Sequence, residues 1–261
     1  MTDSDSEEGA RPAIEGSTAL PLPLPATSAD AHDARTPATA DLMQAVTRIE
    51  RGVKERRDTD TTLMNYWLYF FLVSWVTFGI YGLVLFFKRI ARIDGFSERK
   101  RSYYEGLIDW TQRYAQQHGK EDDVHHRLGD MRSDLGLAYK KDLRKINAGV
   151  SLLLTIVTLG IYGLFALYRV NRYWWDVQVV EQEFDDGLSQ VWSKLDLMRY
   201  PVSFTLDQGK RRSYPLYLIL TIVSFGIWGI VWEYKIHTDP DNLYKEFHSI
   251  EDTVLQTVRA H

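Results

Sequence analysis

Hydrophobic residues of this chain are concentrated in three blocks. They cover residues 66 to 87, 148 to 168 and 214 to 232, and none of the blocks contains a charged side chain. A helix needs about 20 apolar residues to cross the roughly 30 Å hydrocarbon core of a bilayer, and the blocks are 19 to 22 residues long. The pattern therefore predicts an all-α integral membrane protein with three membrane-embedded segments.

Each block contains one copy of the same motif, a small hydroxyl residue followed by any residue and then by Gly, Ile, an aromatic residue and Gly. Another hydroxyl residue stands three positions before each copy, and an aromatic residue followed by a cation begins five positions after its second glycine. Weaker similarity continues about 25 positions further, which predicts an internal triplication. The motif residues are Thr77, Gly79, Tyr81 and Gly82, then Thr158, Gly160, Tyr162 and Gly163, then Ser224, Gly226, Trp228 and Gly229.

This motif, with its trailing aromatic residue and cation, resembles the signature of a family of prokaryotic integral membrane proteins called domain of unknown function 4234. The likeness covers residues 66 to 90, 148 to 172 and 214 to 236. Members of that family tend to repeat the segment, as this chain does. The resemblance implies an integral membrane protein and no particular reaction.

The glycines of the motif predict a break in the middle of each apolar block. Glycine adopts positive φ and ends helices readily, and a Thr or Ser just before it satisfies a freed carbonyl group. Two arrangements are open. Each block forms either a single kinked span or a re-entrant helical hairpin that turns at the motif and leaves the membrane on the side where it entered.

The charges beside the blocks favour the hairpins. Cytoplasmic flanks of membrane segments carry an excess of Lys and Arg, and all six flanks are basic here. Hairpins keep every flank in the cytoplasm, whereas three single spans place three flanks outside. We therefore interpret the motif as a structural device for bending and packing an apolar segment. The basic residues are Arg56, Arg57, Lys140, Lys141, Arg144, Lys145, Lys210, Arg211 and Arg212 upstream of the blocks, and Lys88, Arg89, Arg92, Arg169, Arg172 and Lys235 downstream.

The rest of the chain divides by composition and by apolar period. The first 40 residues are rich in Ala, Pro, Ser, Thr and Asp, which predicts a disordered acidic tail, and they lack the basic start and apolar core of a signal peptide. Apolar residues at helical spacing predict amphipathic helices elsewhere. The predicted organisation is a tail at 1 to 40, an amphipathic helix at 41 to 63, membrane repeats at 64 to 90, 148 to 172 and 214 to 236, an extramembrane helical insertion at 91 to 147, an extramembrane helix and linker at 173 to 213, and a C-terminal amphipathic helix at 237 to 261.

The polar segments offer few candidates for catalysis or metal binding. The segment HGKEDDVHH at 118 to 126 has ligands for a divalent metal, but its acids suit a helix start, and adjacent histidines point in different directions. The GIYG sequence lacks the context of a phosphate-binding loop, and no nucleophile and base are recognisable together. The chain contains no cysteine. We predict no catalytic, cofactor-binding or metal-binding residues and no enzymatic activity.

These observations favour a non-enzymatic, membrane-anchored scaffold or interaction protein of the cell membrane. Its extramembrane helices would be mostly cytoplasmic, and their amphipathic faces would bind a protein partner or a second copy of the chain. The net charge of -4 gives no reason to expect nucleic acid as a partner. The alternative is a small-solute or lipid transporter, which predicts that six hydroxyl groups converge on one path, those of Ser74, Thr77, Thr155, Thr158, Thr221 and Ser224.

Overall fold

The computed structural model describes residues 37 to 73, residue 76, and residues 80 to 197 and 203 to 261. Within these ranges the protein is helical and has no strand, so the predicted all-α class is confirmed. A π-helical turn at Tyr69–Val73 follows α3, and a 3-10 turn at Gln208–Lys210 precedes α8. The α-helices are α1 Pro37–Lys54, α2 Arg56–Thr59, α3 Tyr66–Leu68, α4 Ile80–Gln117, α5 Glu121–Lys141, α6 Ala148–Val157, α7 Ile161–Lys194, α8 Tyr214–Val223 and α9 Ile227–Ala260.

Three long helices dominate the fold, and each begins inside a copy of the motif. Helices α4, α7 and α9 have 38, 34 and 34 residues. The predicted borders after residues 90, 172 and 236 therefore lie inside continuous helices. The apolar and the charged part of each repeat belong to one helix, because a change of composition does not interrupt the backbone hydrogen bonds.

The three long helices run parallel, and α4 and α7 are in register. Lys100 and Glu181 both lie 18 positions after the second glycine of their motif, and their Nζ and Oε1 atoms are 2.6 Å apart. Thr111 and Trp192 both lie 29 positions after it, and the indole N–H donates to the hydroxyl at 2.9 Å. Helix α9 is shifted by up to about one turn, since Lys100 also pairs with Glu251, 22 positions after its second glycine, at 2.7 Å.

The interior of the bundle follows the repeat. Positions 11, 14 and 25 after the second glycine are buried in all three helices, and this spacing of three and four residues or its multiples is typical of parallel helices packed together. The residues are Ile93, Trp174 and Pro240, then Phe96, Val177 and Leu243, then Leu107, Leu188 and Val254. The triplication is therefore visible in the core as well as in the motif.

Helix α1 covers the bundle, and its apolar face is used inside the protein. A Cβ atom on Gly106 of α4 would lie 3.2 Å from Cγ1 of Ile49, so the two helices approach closely. Ala45 and Ile49 are buried in the same core as Val254 of α9. Because Pro suits the first turn of a helix, α1 begins at Pro37, four residues before the predicted start.

Helix α5 packs against α4 and α7 in the same way. A Cβ atom on Gly187 would lie 3.1 Å from the sulfur of Met131. Its apolar residues Val124, Leu128, Met131 and Leu135 are buried, whereas Ile146, at the end of the predicted helical insertion, lies beyond the end of this helix at Lys141. The backbone N–H of Ile146 donates instead to Asp94 at 2.7 Å.

Exposed large apolar side chains lie almost entirely in the three repeats. Among the large hydrophobic residues that the structure describes, only Met43 and Leu137 are exposed outside the three predicted membrane repeats. The amphipathic faces proposed for partner binding are instead largely buried against the long helices. An amphipathic helix buries its apolar face against an apolar surface and leaves its charged face in water. Here the apolar surface belongs to the same chain.

Candidate membrane-contacting surface

Repeats 2 and 3 each fold back on themselves as a helical hairpin. We call them hairpin 2, which is α6 with the start of α7, and hairpin 3, which is α8 with the start of α9. In hairpin 2, a side-chain N–H of Arg169 reaches back to the carbonyl oxygen of Arg144 at 2.7 Å. In hairpin 3, the rings of Tyr217 and Trp232 are 5.7 Å apart. The two arms of each hairpin are therefore antiparallel neighbours.

The first glycine of the motif closes the turn. Gly160 has φ of 94° and Gly226 has φ of 91°, in the region that favours glycine. Their backbone N–H groups donate to carbonyl oxygens five residues earlier, at 2.7 Å to Thr155 and at 2.8 Å to Thr221. This pairing is that of the Schellman motif, which satisfies carbonyl groups left open at the end of a helix.

The residue before that glycine also has a left-handed backbone conformation. Leu159 and Phe225 both have φ of 51°. Positive φ is uncommon for bulky residues because the Cβ atom crowds the backbone. Their side chains point away from the protein, since Leu159 is 94% exposed and Phe225 is 98% exposed. The turn places an apolar side chain at its outermost point despite this local strain.

The small hydroxyl residue links the two arms. The hydroxyl of Thr158 donates to the carbonyl of Leu154 at 2.7 Å and accepts the backbone N–H of Tyr162 at 2.9 Å. Ser224 accepts the backbone N–H of Trp228 at 2.8 Å in the same way. Each hydroxyl therefore satisfies a donor at the start of the following long helix, where backbone N–H groups have no helical partner.

The second glycine permits the close approach of the arms. A Cβ atom on Gly163 would lie 3.0 Å from Cγ2 of Thr155, and one on Gly229 would lie 2.8 Å from Cγ2 of Thr221. The hydroxyl residue three positions before the motif is thus the packing partner of its second glycine. Both distances are shorter than ordinary carbon contacts, so neither position has room for a larger side chain.

Repeat 1 is described only in part. Thr77 and Gly79 lie outside the described residues. Tyr81 and Gly82 are described, and the rings of Tyr69 and Tyr81 are 5.8 Å apart, so the chain on either side of the motif is also close together here. Tyr66 donates a hydrogen bond to the carbonyl of Ile230 at 3.2 Å, which joins repeat 1 to hairpin 3.

The outer ends of hairpins 2 and 3 carry a set of exposed apolar side chains, which we call the apolar tips. They are all on the turns or the adjoining helical turns, and each is more than half exposed. An apolar patch on this scale usually marks a contact with a membrane or another protein. Its residues are Ile156, Val157, Leu159, Ile161, Ile222, Val223, Phe225 and Ile227.

None of the helices in the described ranges combines the length and the apolarity needed to cross a bilayer.

The middle of the bundle has the opposite composition, with charged side chains in its interior. Arg99 lies between Asp60 and Glu251, with N–O distances of 2.6 Å and 3.0 Å. Lys100 lies between Glu181 and Glu251, at 2.6 Å and 2.7 Å. We call these five residues the buried ionic cluster, and each is at most 2% exposed at its side chain.

Each charge in this cluster is held by the others. Burial by itself raises the pKa of Glu251, but Lys100, Arg99 and Arg56 reverse the effect and keep that pKa below its usual range. Burial likewise disfavours the charged form of Lys100, yet the two carboxylates beside it raise its pKa. Glu251 and Lys100 are therefore held in their charged forms in a site closed to solvent.

Two carboxyl groups of α7 are less well compensated, and one of them belongs to the cluster. Burial raises the pKa of Glu181 despite its contact with Lys100, and Tyr104 donates a hydrogen bond to the same carboxyl. Burial and the charge of Glu181 raise the pKa of Asp185 well above its usual value, and its Oδ2 atom has no hydrogen-bond partner among the described residues. Asp185 therefore keeps its proton to a higher pH than an ordinary aspartic acid.

The sequence pattern did not reveal this cluster. The acids that recur in the repeat are Glu105, Asp186 and Asp252, and these lie on outer faces, where Asp252 pairs with Arg56 at 2.7 Å. Glu181 and Glu251 lie instead at the helical spacing of the core positions, four residues after Val177 and three before Val254. A charged residue at a predicted core position is the signal that would have identified them.

The histidine-rich segment does not form a ligand set. His118 stacks on the ring of Tyr114, and His126 pairs with Asp130 at 3.1 Å. Across the described part of the chain, no three His, Cys, Asp or Glu side chains are grouped so as to hold a metal ion.

The predicted hydroxyl path also has no support in hairpins 2 and 3. Thr155 and Thr221 donate to carbonyl oxygens four residues earlier in their own arms, both at 2.7 Å. Thr158 and Ser224 serve the turns, as described above. Each of these hydroxyls is used within its own hairpin, and Ser74 and Thr77 lie outside the described residues.

The resemblance to domain of unknown function 4234 stays an expectation based on the motif. No family model, no curated protein and no solved structure matches this chain.

Proposed function

We propose that this chain is a non-enzymatic, membrane-anchored interaction protein, whose hairpins enter one leaflet of the membrane and hold the helical bundle at its surface. The observation that carries the proposal is the position of the apolar tips. They are exposed, uncharged and gathered at one end of a bundle that exposes little apolar surface elsewhere. Burying that surface in hydrocarbon removes it from water, which is the main driving force for such insertion.

The dimensions of the hairpins fit one leaflet. Helices α6 and α8 have 10 residues each, and at about 1.5 Å per residue they are roughly 15 Å long. The hydrocarbon core is about 30 Å thick, so hairpins of this length reach its midplane and return. This geometry agrees with the basic flanks, which all remain on the side from which the hairpins enter.

The turns also suit an apolar environment. A backbone polar group in hydrocarbon costs several kcal/mol unless it has a partner. In hairpin 2, the N–H groups of residues 158 to 162 all donate within the turn. A membrane-inserted turn needs such internal pairing because lipid offers no replacement for water.

The bundle would then be the part that interacts with other components on the cytoplasmic side. Its amphipathic faces are occupied within the chain, so a protein partner would meet its charged outer surface. The transporter alternative is not favoured, because the described hydroxyls pair within their own hairpins.

Depth measurement with nitroxide labels tests this proposal directly. The chain has no cysteine, so single Leu159→Cys and Phe225→Cys variants carry a label only at an apolar tip. We expect both labels to collide with oxygen and to be protected from a water-soluble relaxation agent in vesicles. A label at Ser133→Cys on the exposed face of α5 is the matched control and stays accessible from water.

The proposal also predicts that the whole helical bundle lies on one side of the membrane. Labels at Ser133→Cys and Ser249→Cys, on α5 and α9, would be reached by an impermeant thiol reagent only after the membrane of intact cells is opened. Water-accessible labels at both tips would exclude insertion, and reaction of only one bundle label in intact cells would exclude the one-leaflet arrangement.

A further inference from the structure

A cleft rich in cations lies at the base of hairpin 2, where the end of α5 meets the first turns of α7. Its volume is about 290 Å³. We call it the basic cleft. Its lining residues are Lys140, Lys141, Asp142, Arg144, Phe165, Tyr168, Arg169, Arg172 and Asp176.

The cations of this cleft exceed its acids. Asp176 and Asp142 both face Arg172, at 2.9 Å and 3.7 Å, so they neutralise mainly that one side chain. Arg169 donates to the backbone carbonyl of Arg144 and has no carboxylate partner in the described ranges. The cleft therefore keeps a positive charge that the protein does not compensate.

The three remaining cations are open to solvent. Lys140, Lys141 and Arg144 are exposed, and no carboxylate among the described residues lies within salt-bridge distance of them. Lys140 and Lys141 end α5, where cations favour the negative end of the helix dipole. That role does not account for Arg144 or Arg169, which lie outside the helix end and converge on the same cleft.

Several cations that flank the other two repeats are paired. At the base of repeat 1, Arg89 lies 3.2 Å from Glu233 and Arg92 lies 2.8 Å from Asp241. At the base of hairpin 3, Arg212 forms a salt bridge with Asp239. The base of hairpin 2 differs because four cations without a carboxylate partner in the described ranges line one cleft, Lys140, Lys141, Arg144 and Arg169.

The cleft also lies at the depth of lipid headgroups. Arg169 and Arg172 follow the turn glycine Gly160 by 9 and 12 residues, which is about 14 to 18 Å along the helix. This matches the half-thickness of the hydrocarbon core, roughly 15 Å. Phe165 is nearer the tip and is exposed, so an apolar chain has a surface to lie on.

We propose that the basic cleft binds the phosphate of an anionic phospholipid in the leaflet that the hairpins enter. This inference rests on the proposed insertion of the hairpins. Arg and Lys are the side chains that bind phosphate, Arg through paired N–H groups and Lys as a point charge. The lipid places its phosphate among the cations and its acyl chains beside Phe165 and the arms of hairpin 2.

The test compares binding of the full chain to vesicles of phosphatidylcholine, with and without phosphatidylglycerol, by co-flotation. We expect the wild-type chain to bind both and to gain affinity with phosphatidylglycerol. The triple variant Lys140→Gln, Lys141→Gln and Arg144→Gln keeps the binding to phosphatidylcholine but loses most of that gain. A loss of roughly a hundredfold corresponds to three cations near an anionic surface.

A matched variant separates a site from general attraction. The control is a second triple variant that removes the same amount of positive charge at the other two repeats, Arg57→Gln, Lys88→Gln and Lys235→Gln. These three cations form no salt bridge in the described part of the chain. We expect this variant to keep most of the gain. Circular dichroism checks that both triple variants are folded. If both lose the same share of the affinity gained with phosphatidylglycerol, the attraction is diffuse and the inference is overturned.

The remaining outcomes separate this inference from the proposed function. A wild-type chain that does not bind phosphatidylcholine contradicts the insertion itself. A wild-type chain that binds both vesicles equally contradicts the basic cleft alone. If inorganic phosphate at constant ionic strength abolishes the gain, the cleft takes a soluble phosphate anion and the lipid assignment is wrong.

Discussion

The apolar tips and the middle of the helical bundle invert the usual arrangement of apolar and charged residues. At the tips, Leu159 and Phe225 are almost fully exposed, whereas Arg99 and Lys100, midway along α4, are at most 2% exposed. Helices α7 and α9 contribute to both regions. Apolar side chains thus face outward at the tips, and charged side chains face partners inside the bundle.

The two regions also owe their stability to different interactions. The hairpin turns depend on contacts within about ten residues of sequence, such as those between Thr155 and Gly163. The buried ionic cluster joins Asp60, Glu181 and Glu251, which are distant from one another in sequence, to α4. Damage at the tips should therefore change membrane binding and leave the bundle folded, whereas damage in the cluster should unfold the bundle.

The largest effect is expected from Glu251→Gln. It removes one carboxylate from between Arg99, Lys100 and Arg56, and breaking a buried ion pair on one side costs about 3 to 5 kcal/mol. The pKa of Glu251 is lower in the folded protein than in the unfolded chain. Its contribution to the free energy of unfolding is therefore fully present above its pKa in the unfolded chain, and it is lost as the pH falls through its pKa in the folded protein. Urea unfolding at neutral pH measures the change.

The neighbouring Asp252→Asn is the control for that prediction. Asp252 pairs with the same Arg56, but its side chain is 55% exposed, and exposed pairs contribute at most about 1 kcal/mol. Similar losses in both variants would contradict the distinction between a buried cluster and a solvated outer face.

The next largest effect is expected at the apolar tips. Phe225→Asp places a carboxylate where the side chain would enter hydrocarbon, which costs about 3 kcal/mol at the centre of a membrane helix. Vesicle co-flotation should show a loss of binding by two orders of magnitude, roughly as that energy predicts. The unfolding of the bundle should not change, because the side chain is almost free of contacts.

Leu137→Asp is the matched change outside the tips. Leu137 is a comparably apolar residue, 61% exposed on α5, and it should leave vesicle binding unaltered. If both substitutions weaken binding equally, apolar exposure in general and not the tips would control attachment to the membrane.

A smaller effect is expected from Gly229→Ala. The new methyl group would meet Cγ2 of Thr221 at 2.8 Å, and such overpacking costs about 1 to 3 kcal/mol. Adding Thr221→Ser removes the opposing methyl group and should recover most of the loss, as measured by thermal unfolding. Gly129→Ala, on α5 with open space around it, should instead be neutral or stabilising by up to about 1 kcal/mol.

The smallest effect is expected from Asp185→Asn. The raised pKa of Asp185 means that the folded protein holds its proton more tightly than the unfolded chain, so stability falls as the pH rises above the unfolded pKa. The amide removes this dependence. We expect the free energy of unfolding of the variant, relative to that of the wild type, to increase between pH 5 and pH 8 by roughly 1 kcal/mol or less, as measured by urea titrations at both pH values. A relative free energy of unfolding that decreases with pH would contradict the raised pKa of Asp185.

The sequence by itself determined the local features of this protein. The 3.6-residue period placed the helices, and the glycines and hydroxyls of the motif specified where α6 and α8 end, because caps and turns depend on neighbouring residues. It did not predict that α4, α7 and α9 continue from the apolar blocks into the bundle, since the change of composition looked like a boundary.

Only the tertiary structure decided which residues meet across repeats. Lys100 and Glu181 are 81 residues apart, and Arg99 and Glu251 are 152 apart, so their pairing depends on the register of three parallel helices. The same packing pairs Arg89, Arg92 and Arg212 with carboxylates. It leaves Lys140, Lys141 and Arg144 without one among the described residues. Charge runs in the sequence look alike, but the free energy of each charge is set by the partner and the solvent that the folded chain provides.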